Sequence, residues 1–76
     1  MKNANSVFGQ VLSELRGAAA LSQEELAHRS GIHRTYVSQV ERGLKSPTIT
    51  VVLQLSKALD TMPSEIMRLF ENEMRK

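Results

Sequence analysis

Four polar side chains near the middle of the chain have the chemistry and spacing to bind the edges of DNA bases. Arg34, Thr35, Ser38 and Gln39 fall on one face of a helix. Arginine can bind guanine and glutamine can bind adenine through paired hydrogen bonds, and serine or threonine can bond either way. The Glu/Lys pairs of a merely solvated helix are missing here, although a solvated face is the alternative. Tyr36 flanks this face and is included among the base-reading candidates.

A capping box begins the segment that must position these side chains. Ser22 is followed three residues later by Glu25, so that each side chain can bond to the free backbone N–H of the other. This pattern predicts a helix that starts near Gln23. Leu26 and Ala27 give it an inward face, and Ala27 is small enough for a second helix to cross closely.

A tight turn and a second helix follow. Gly31 suits a left-handed turn because it has no Cβ. The spacing of Val37 and Val40 predicts a helix from about His33 to Arg42, the recognition helix, with these valines facing inward. Two short helices around a turn that contains glycine form a helix-turn-helix, whose second helix can lie in the major groove.

The stretch LSQEELAHRSGIHRTYVSQVERG resembles the helix-turn-helix family of the lambdoid phage repressors and Cro, often called the xenobiotic-response-element family. The resemblance continues through SPTITVVLQLSKALDTMPSEI and covers about three-quarters of the chain. HRTYVS followed by ERG is similar to the recognition helices of restriction-modification controller proteins. The resemblance implies an all-α, five-helix, lambda-repressor-like DNA-binding domain over residues 1–76, with its helix-turn-helix core at 22–43.

The family also carries an arginine, here Arg16, that pairs with the glutamate found here as Glu41. Such a pair would join the first helix to the end of the recognition helix, with a solvated Arg16 as the alternative. Between Gly17 and Ala20 the chain departs from the family, which commonly has basic residues and then a glycine. Ala20 therefore makes the turn geometry an open question, and the missing lysines remove expected phosphate contacts.

Polar residues around the recognition helix are candidates for contacts with the DNA backbone, which helix N-termini and basic side chains favour. His33 stands where the family more often has a Ser or Asp cap, so we interpret it as a weaker cap that approaches a phosphate; plain exposure is the alternative. The candidates are Ser22, Gln23, His33, Arg42, Lys45, Ser46 and Thr48.

Three more helices are predicted. Met1–Asn5 is expected to be a disordered lead, and Ser6 is expected to cap a first helix of about ten residues. Its core stripe is Phe8, Val11, Leu12 and Leu15. Thr48 is expected to cap a fourth helix near 49–59, the predicted packing centre. The apolar band of that helix is Ile49, Val51, Val52, Leu53, Leu55, Ala58 and Leu59.

The fifth helix, about 63–74, has more apolar residues than one face of a small bundle can bury. We expect it to form a homodimer, because 76 residues are near the size at which a single core is marginally stable. The loop around Leu44 and the N-terminus of the fourth helix are the next candidates. The predicted interface residues are Ile66, Met67, Leu69, Phe70 and Met74.

Composition and motifs argue against other classes of protein. The absence of cysteine excludes disulfides and thiolate zinc sites. No apolar run reaches about 18 residues, and the N-terminus lacks a signal-peptide core, which favours a cytoplasmic, nucleoid-associated location. The net charge of +2 permits nucleic-acid binding. Ser22, Ser38, Asp60 and the two histidines form no nucleophile or metal constellation, so we expect no enzyme, cofactor or metal.

The sequence predicts a homodimeric transcriptional regulator on a palindromic operator, with half-sites about 34 Å apart. Since no residues remain for an effector domain, we expect no small-molecule ligand. Occupancy of the operator should then follow the concentration of the protein, which favours autoregulation. RNA polymerase is a further candidate partner, and the choice between repressor and activator is open. The alternative is an antitoxin or protein-interaction module that uses the same fold.

Overall fold

The computed structural model describes residues 2–76, and this part of the chain forms five α-helices and no β-strand. The helices are α1 (Ala4–Ala18), α2 (Gln23–Ser30), α3 (Arg34–Glu41), α4 (Ile49–Ala58) and α5 (Pro63–Arg75). The predicted all-α, five-helix fold is confirmed.

The helices pack in a closed ring. The main contacts of α1 are with α3 and α5, those of α2 are with α3 and α4, and α4 also packs against α5. Every helix contributes to the most deeply buried side chains, which are Leu12, Leu26, Val37, Val40, Leu55 and Ile66. The prediction that α4 is the packing centre is wrong, because α4 packs mainly against two helices, as each of the others does.

Two apolar residues of α4 lie outside the core. Ile49 is 78% exposed and Leu53 is 51% exposed, so their assignment to the buried band is wrong. Val52 and Leu55 are buried and form the inward face. Ile49 and Leu53 are four residues apart and therefore share a neighbouring face of the helix.

The first helix begins earlier than predicted. Asn3, not Ser6, is the cap, and its side-chain oxygen accepts a hydrogen bond from the Ser6 amide at 3.2 Å. Asparagine and serine cap helices about equally well, and the earlier cap lengthens α1 to 15 residues. Within the predicted disordered lead, Ala4 and Asn5 are therefore helical, and Met1 lies outside the described residues.

The four turns between helices share one backbone geometry. Each has one residue with positive φ, namely Ala20 (59°), Gly31 (72°), Gly43 (75°) and Asp60 (53°). The next residue donates its N–H to the carbonyl five positions earlier, over 2.9–3.1 Å. This is the Schellman ending of a helix. Ala20 thus adopts the left-handed geometry where the resembling family commonly has glycine.

Candidate nucleic-acid interface

The helix-turn-helix begins at a complete capping box. The Glu25 amide donates to Ser22 Oγ at 3.0 Å, and the Ser22 amide donates to Glu25 Oε1 at 2.9 Å. The hydrogen bond from the Ser22 backbone, reinforced by the Ser22 side chain, holds the pKa of Glu25 below its ordinary value. The predicted start of α2 at Gln23 is confirmed.

The recognition helix α3 presents its polar face away from the core. Val37 and Val40 are each 1% exposed and anchor the opposite face. The predicted base-reading residues Arg34, Thr35, Ser38 and Gln39 line one shallow concavity, together with Arg42 and Leu44. The structure therefore brings these four side chains together on one surface, and their contacts with bases stay a prediction.

Tyr36 lies apart from this group. Its side chain is partly buried and packs against the hydrophobic core. It does not line the concavity that the four other candidates share. Its position gives a base-reading role less support than theirs.

His33 is a cap. Its Nδ1 accepts a hydrogen bond from the Thr35 amide at 3.1 Å, so Nδ1 carries no hydrogen. In the neutral ring the hydrogen is then on Nε2. Because His33 is exposed, this N–H is available to donate to a phosphate.

The other candidates for contacts with the DNA backbone lie around α3. The Thr48 hydroxyl caps α4 by accepting from the Val51 amide at 3.1 Å, as the Ser22 hydroxyl does at α2. Each of these exposed hydroxyls keeps its own hydrogen for a phosphate oxygen. Exposed cationic and polar residues on the α3–α4 side are Arg42, Lys45 and Ser46.

A bidentate ion pair joins α1 to the C-terminal end of α3. Arg16 Nε donates to Glu41 Oε2 at 2.7 Å and Nη2 donates to Oε1 at 3.0 Å, while Nη1 donates to the Leu21 carbonyl at 2.9 Å. The hydrogen bond to Glu41 raises the pKa of Arg16. Gln23 Nε2 also donates to Glu41 Oε1 at 3.0 Å, so three helices meet at one carboxylate.

The predicted dimer residues are divided between core and surface. Ile66 is 0% exposed, so placing it at a dimer interface is wrong. Leu69 and Met74 are partly buried, and the Phe70 ring lies 6.2 Å from the Phe8 ring. Met67 is 47% exposed.

Met67 belongs to an apolar surface that extends beyond α5. With Phe70 and the exposed Ile49 of α4, it lines one shallow depression. We call these three residues the α4–α5 apolar surface. Ile49, which was predicted to be part of the core, begins α4, the helix whose N-terminus is also one of the further candidates for the dimer contact.

Two features of the site had no clear signal in the sequence. Leu44 is 59% exposed beside the polar residues of α3. Gly9 lies where α1 crosses α3, and an added Cβ would be 2.4 Å from the Val40 carbonyl oxygen. A glycine within a helix does not reveal by itself which distant segment approaches it.

No group of three or more His, Cys, Asp or Glu side chains within residues 2–76 could hold a metal ion. None of the helices described is both long enough and apolar enough to cross a membrane.

Comparison with known proteins identifies the family. Residues 12–66 match the family model described as Helix-turn-helix, and the chain belongs to that family. Its sequence is 35% identical over 66 residues to Control protein C.BamHI of Bacillus amyloliquefaciens, a match that covers 86% of this chain and 82% of that protein. The chain spans 36% of the length of two longer Mycobacterium tuberculosis regulators that it also matches.

Two solved structures are also similar. The restriction-modification controller protein C.AhdI from Aeromonas hydrophila has a TM-score of 0.80 and 48% identity, with 82% of this chain and 94% of that chain covered. The C.Esp1396I tetramer in complex with its natural 35 base-pair operator has a TM-score of 0.89 and 26% identity, with both chains covered completely (100%). The predicted resemblance to helix-turn-helix regulators, with controller proteins among them, is confirmed.

Proposed function

We propose that this protein is a sequence-specific transcriptional regulator that places α3 in the major groove of an operator. The observation that carries the proposal is the single concavity lined by Arg34, Thr35, Ser38 and Gln39 on the outer face of a helix-turn-helix. Side chains of these types can bond to guanine, adenine and other base edges. In the proposed complex, Arg34 binds a guanine and Gln39 binds an adenine.

Backbone contacts fix the position of α3 on the duplex. The N-terminus of α2 donates to one phosphate region through the Ser22 hydroxyl and the Gln23 backbone amide, since the Gln23 side chain is bonded to Glu41. Arg42, Lys45 and Ser46 bind a neighbouring region. His33 and Thr48 add donors at the N-termini of α3 and α4. These contacts supply affinity that depends on salt rather than on sequence.

The proposed regulator is a homodimer that binds a two-fold operator with half-sites about 34 Å apart. The α4–α5 apolar surface supports this assembly because 78% of Ile49 and 47% of Met67 are exposed. An isologous contact would bury these side chains against their symmetry mates. The similar C.Esp1396I structure is a tetramer on its operator, which favours an oligomer on DNA here too.

We further propose that the protein controls a restriction-modification system and regulates its own synthesis. Its similarity to two proteins named as controllers supports this role over that of an antitoxin. Such a regulator acts in the cytoplasm at the nucleoid, with RNA polymerase as a further partner when it activates transcription. The same operator contacts serve repression when they block the promoter.

Selection of bound sites from random duplexes tests the proposal first. Arg34→Ala and Gln39→Ala should then each cost about 1 to 3 kcal/mol on the selected operator and little on a random duplex. Arg75→Ala and Gln10→Ala are matched controls, because both residues are exposed and lie outside the α3 concavity. Equal losses on operator and random duplex would show that α3 does not read bases.

Sedimentation equilibrium tests the dimer. Ile49→Asp and Met67→Asp should each abolish association, since the carboxylates would face their own symmetry mates at the proposed contact. Met62→Asp is the control, because Met62 is 69% exposed but does not line the α4–α5 apolar surface. If both surface variants stay dimeric, the interface lies elsewhere.

A further inference from the structure

Leu44 is an apolar side chain in polar surroundings. It follows α3 directly and is 59% exposed. The concavity that it lines otherwise contains only polar and charged residues, namely Arg34, Thr35, Ser38, Gln39 and Arg42. A single exposed leucine is ordinary on a protein surface, so the feature that matters here is its place in the concavity that the base-reading candidates line.

The backbone at Leu44 is held from two sides. Its amide donates to the Gln39 carbonyl at 2.9 Å, and the Gly43 amide donates to the Val40 carbonyl at 3.0 Å. On the other side, α1 touches Gly43 so closely that an added Cβ would lie 2.6 Å from Ser6 Oγ. The main chain at Leu44 is therefore fixed relative to α3.

Leu44 differs from the apolar residues at the equivalent position of two other turns. The residue after the positive φ in a Schellman ending commonly makes an apolar contact with its own helix. Leu21, at that position after α1, is 7% exposed, and Ile32, after α2, is partly buried against the core. Leu44 has the same turn and the same apolar character but lies outside the core. Its side chain is thus free to contact something that covers the α3 surface.

We propose that Leu44 recognises thymine by packing against its C5 methyl group, next to the base pair bound by Gln39. The thymine methyl is the apolar group that base pairs present in the major groove. Arg34 and Gln39 provide hydrogen bonds to guanine and adenine, and Leu44 adds an apolar contact from the same surface. This inference rests on the proposed function, because it requires α3 to lie in the major groove.

The test removes the methyl group from the DNA. On the operator selected with the wild-type protein, each thymine is replaced in turn by deoxyuridine, and affinity is measured for wild type, Leu44→Ala and Met62→Ala. The affinity of the wild-type protein should fall about three- to tenfold at one position in each half-site, as expected for the loss of one buried methyl group. Leu44→Ala should show no loss at that position, and Met62→Ala should behave like wild type.

The possible failures can be told apart. If Leu44→Ala loses the same factor as wild type at every deoxyuridine, or if no thymine methyl matters to either protein, the role of Leu44 is overturned while operator selection still supports the proposed function. Dissociation of the Leu44→Ala dimer in sedimentation would assign this side chain to the subunit contact and would also overturn the inference. If wild type selects no sequence, the proposed function fails first.

Discussion

The two ends of the recognition helix α3 are held differently. At its C-terminal end α1 approaches so closely that a Cβ added at Gly9 would lie 2.4 Å from a carbonyl oxygen of α3, and one added at Gly43 would lie 2.6 Å from Ser6 Oγ. At its N-terminal end the turn is open, because a Cβ added at Gly31 would have Gln54 Nε2, at 3.9 Å, as its nearest neighbour.

This difference separates two roles of glycine. At the open turn Gly31 is favoured by its positive φ alone. At the enclosed end Gly9 is favoured by lack of space, and Gly43 by both lack of space and positive φ. The Arg16–Glu41 ion pair lies at the enclosed end as well. The rest of the protein therefore holds the C-terminal end of α3 and leaves Arg34 and Thr35, at its N-terminal end, exposed on the side proposed to face DNA.

The largest predicted effect is at the helix crossing. Gly9→Ala should destabilise the protein by roughly 3 kcal/mol, because the new Cβ would overlap two backbone carbonyl oxygens that cannot move without shifting a helix. Gly17→Ala in the same helix meets no atom within 4 Å and should gain up to about 1 kcal/mol from helix propensity. Urea unfolding at equal protein concentration measures both. Similar stabilities for the two variants would contradict the close crossing.

The next prediction compares the glycines on either side of α3. Gly43→Ala should cost about 2 to 3 kcal/mol, since a left-handed alanine is strained and its Cβ also meets Ser6. Gly31→Ala has nearly the same φ but open space, so it should cost about 1 kcal/mol. Thermal unfolding compares the variants directly. Equal losses would mean that backbone strain alone explains both glycines.

The same contrast explains what could be predicted from the sequence. The capping box, Gly31 and the spacing of Val37 and Val40 are local signals, and they defined the helix-turn-helix. The need for Gly9 arises from a segment more than twenty residues away in the chain and has no local signal. Asn3 and Ser6 are similarly good caps, so the start of α1 could not be decided from residue type.

Two isoleucines show the limit of periodicity. Ile49, predicted to lie in the core, is 78% exposed, and Ile66, predicted to lie at a dimer surface, is 0% exposed. Both lie in apolar bands wider than one helix face, where spacing cannot say which edge meets the neighbouring helix. That choice depends on how the helices cross. The candidate base-reading face was easier to predict because its polar residues oppose a narrow apolar stripe.

A smaller effect is expected at the turn between α1 and α2. Ala20 has φ of 59°, so Ala20→Gly should relieve strain and stabilise the protein by about 0.5 to 1 kcal/mol after the entropic cost of glycine. Asp60→Gly, at the equivalent turn before α5, should gain less, because aspartate tolerates the left-handed region better than alanine. An increase in melting temperature of a few degrees checks the first variant. A loss of stability in Ala20→Gly would show that the turn is not strained.

The smallest effect concerns the capping box at the start of α2. The folded-state pKa of Glu25 lies below its ordinary value of 4.5. The charge of Glu25 therefore contributes its full stability at pH values above 4.5, and this contribution is lost as the pH falls through the folded-state pKa. Glutamine can keep the hydrogen bond of the box but not the charge. The stability difference between wild type and Glu25→Gln should therefore shrink as pH falls from about 5 to 3, and it should stay small because Glu25 is exposed. Glu24→Gln is the matched control, since it removes the neighbouring charge without altering the box. If the two variants show the same pH dependence in chemical unfolding, the charge of Glu25 is not what stabilises the start of α2.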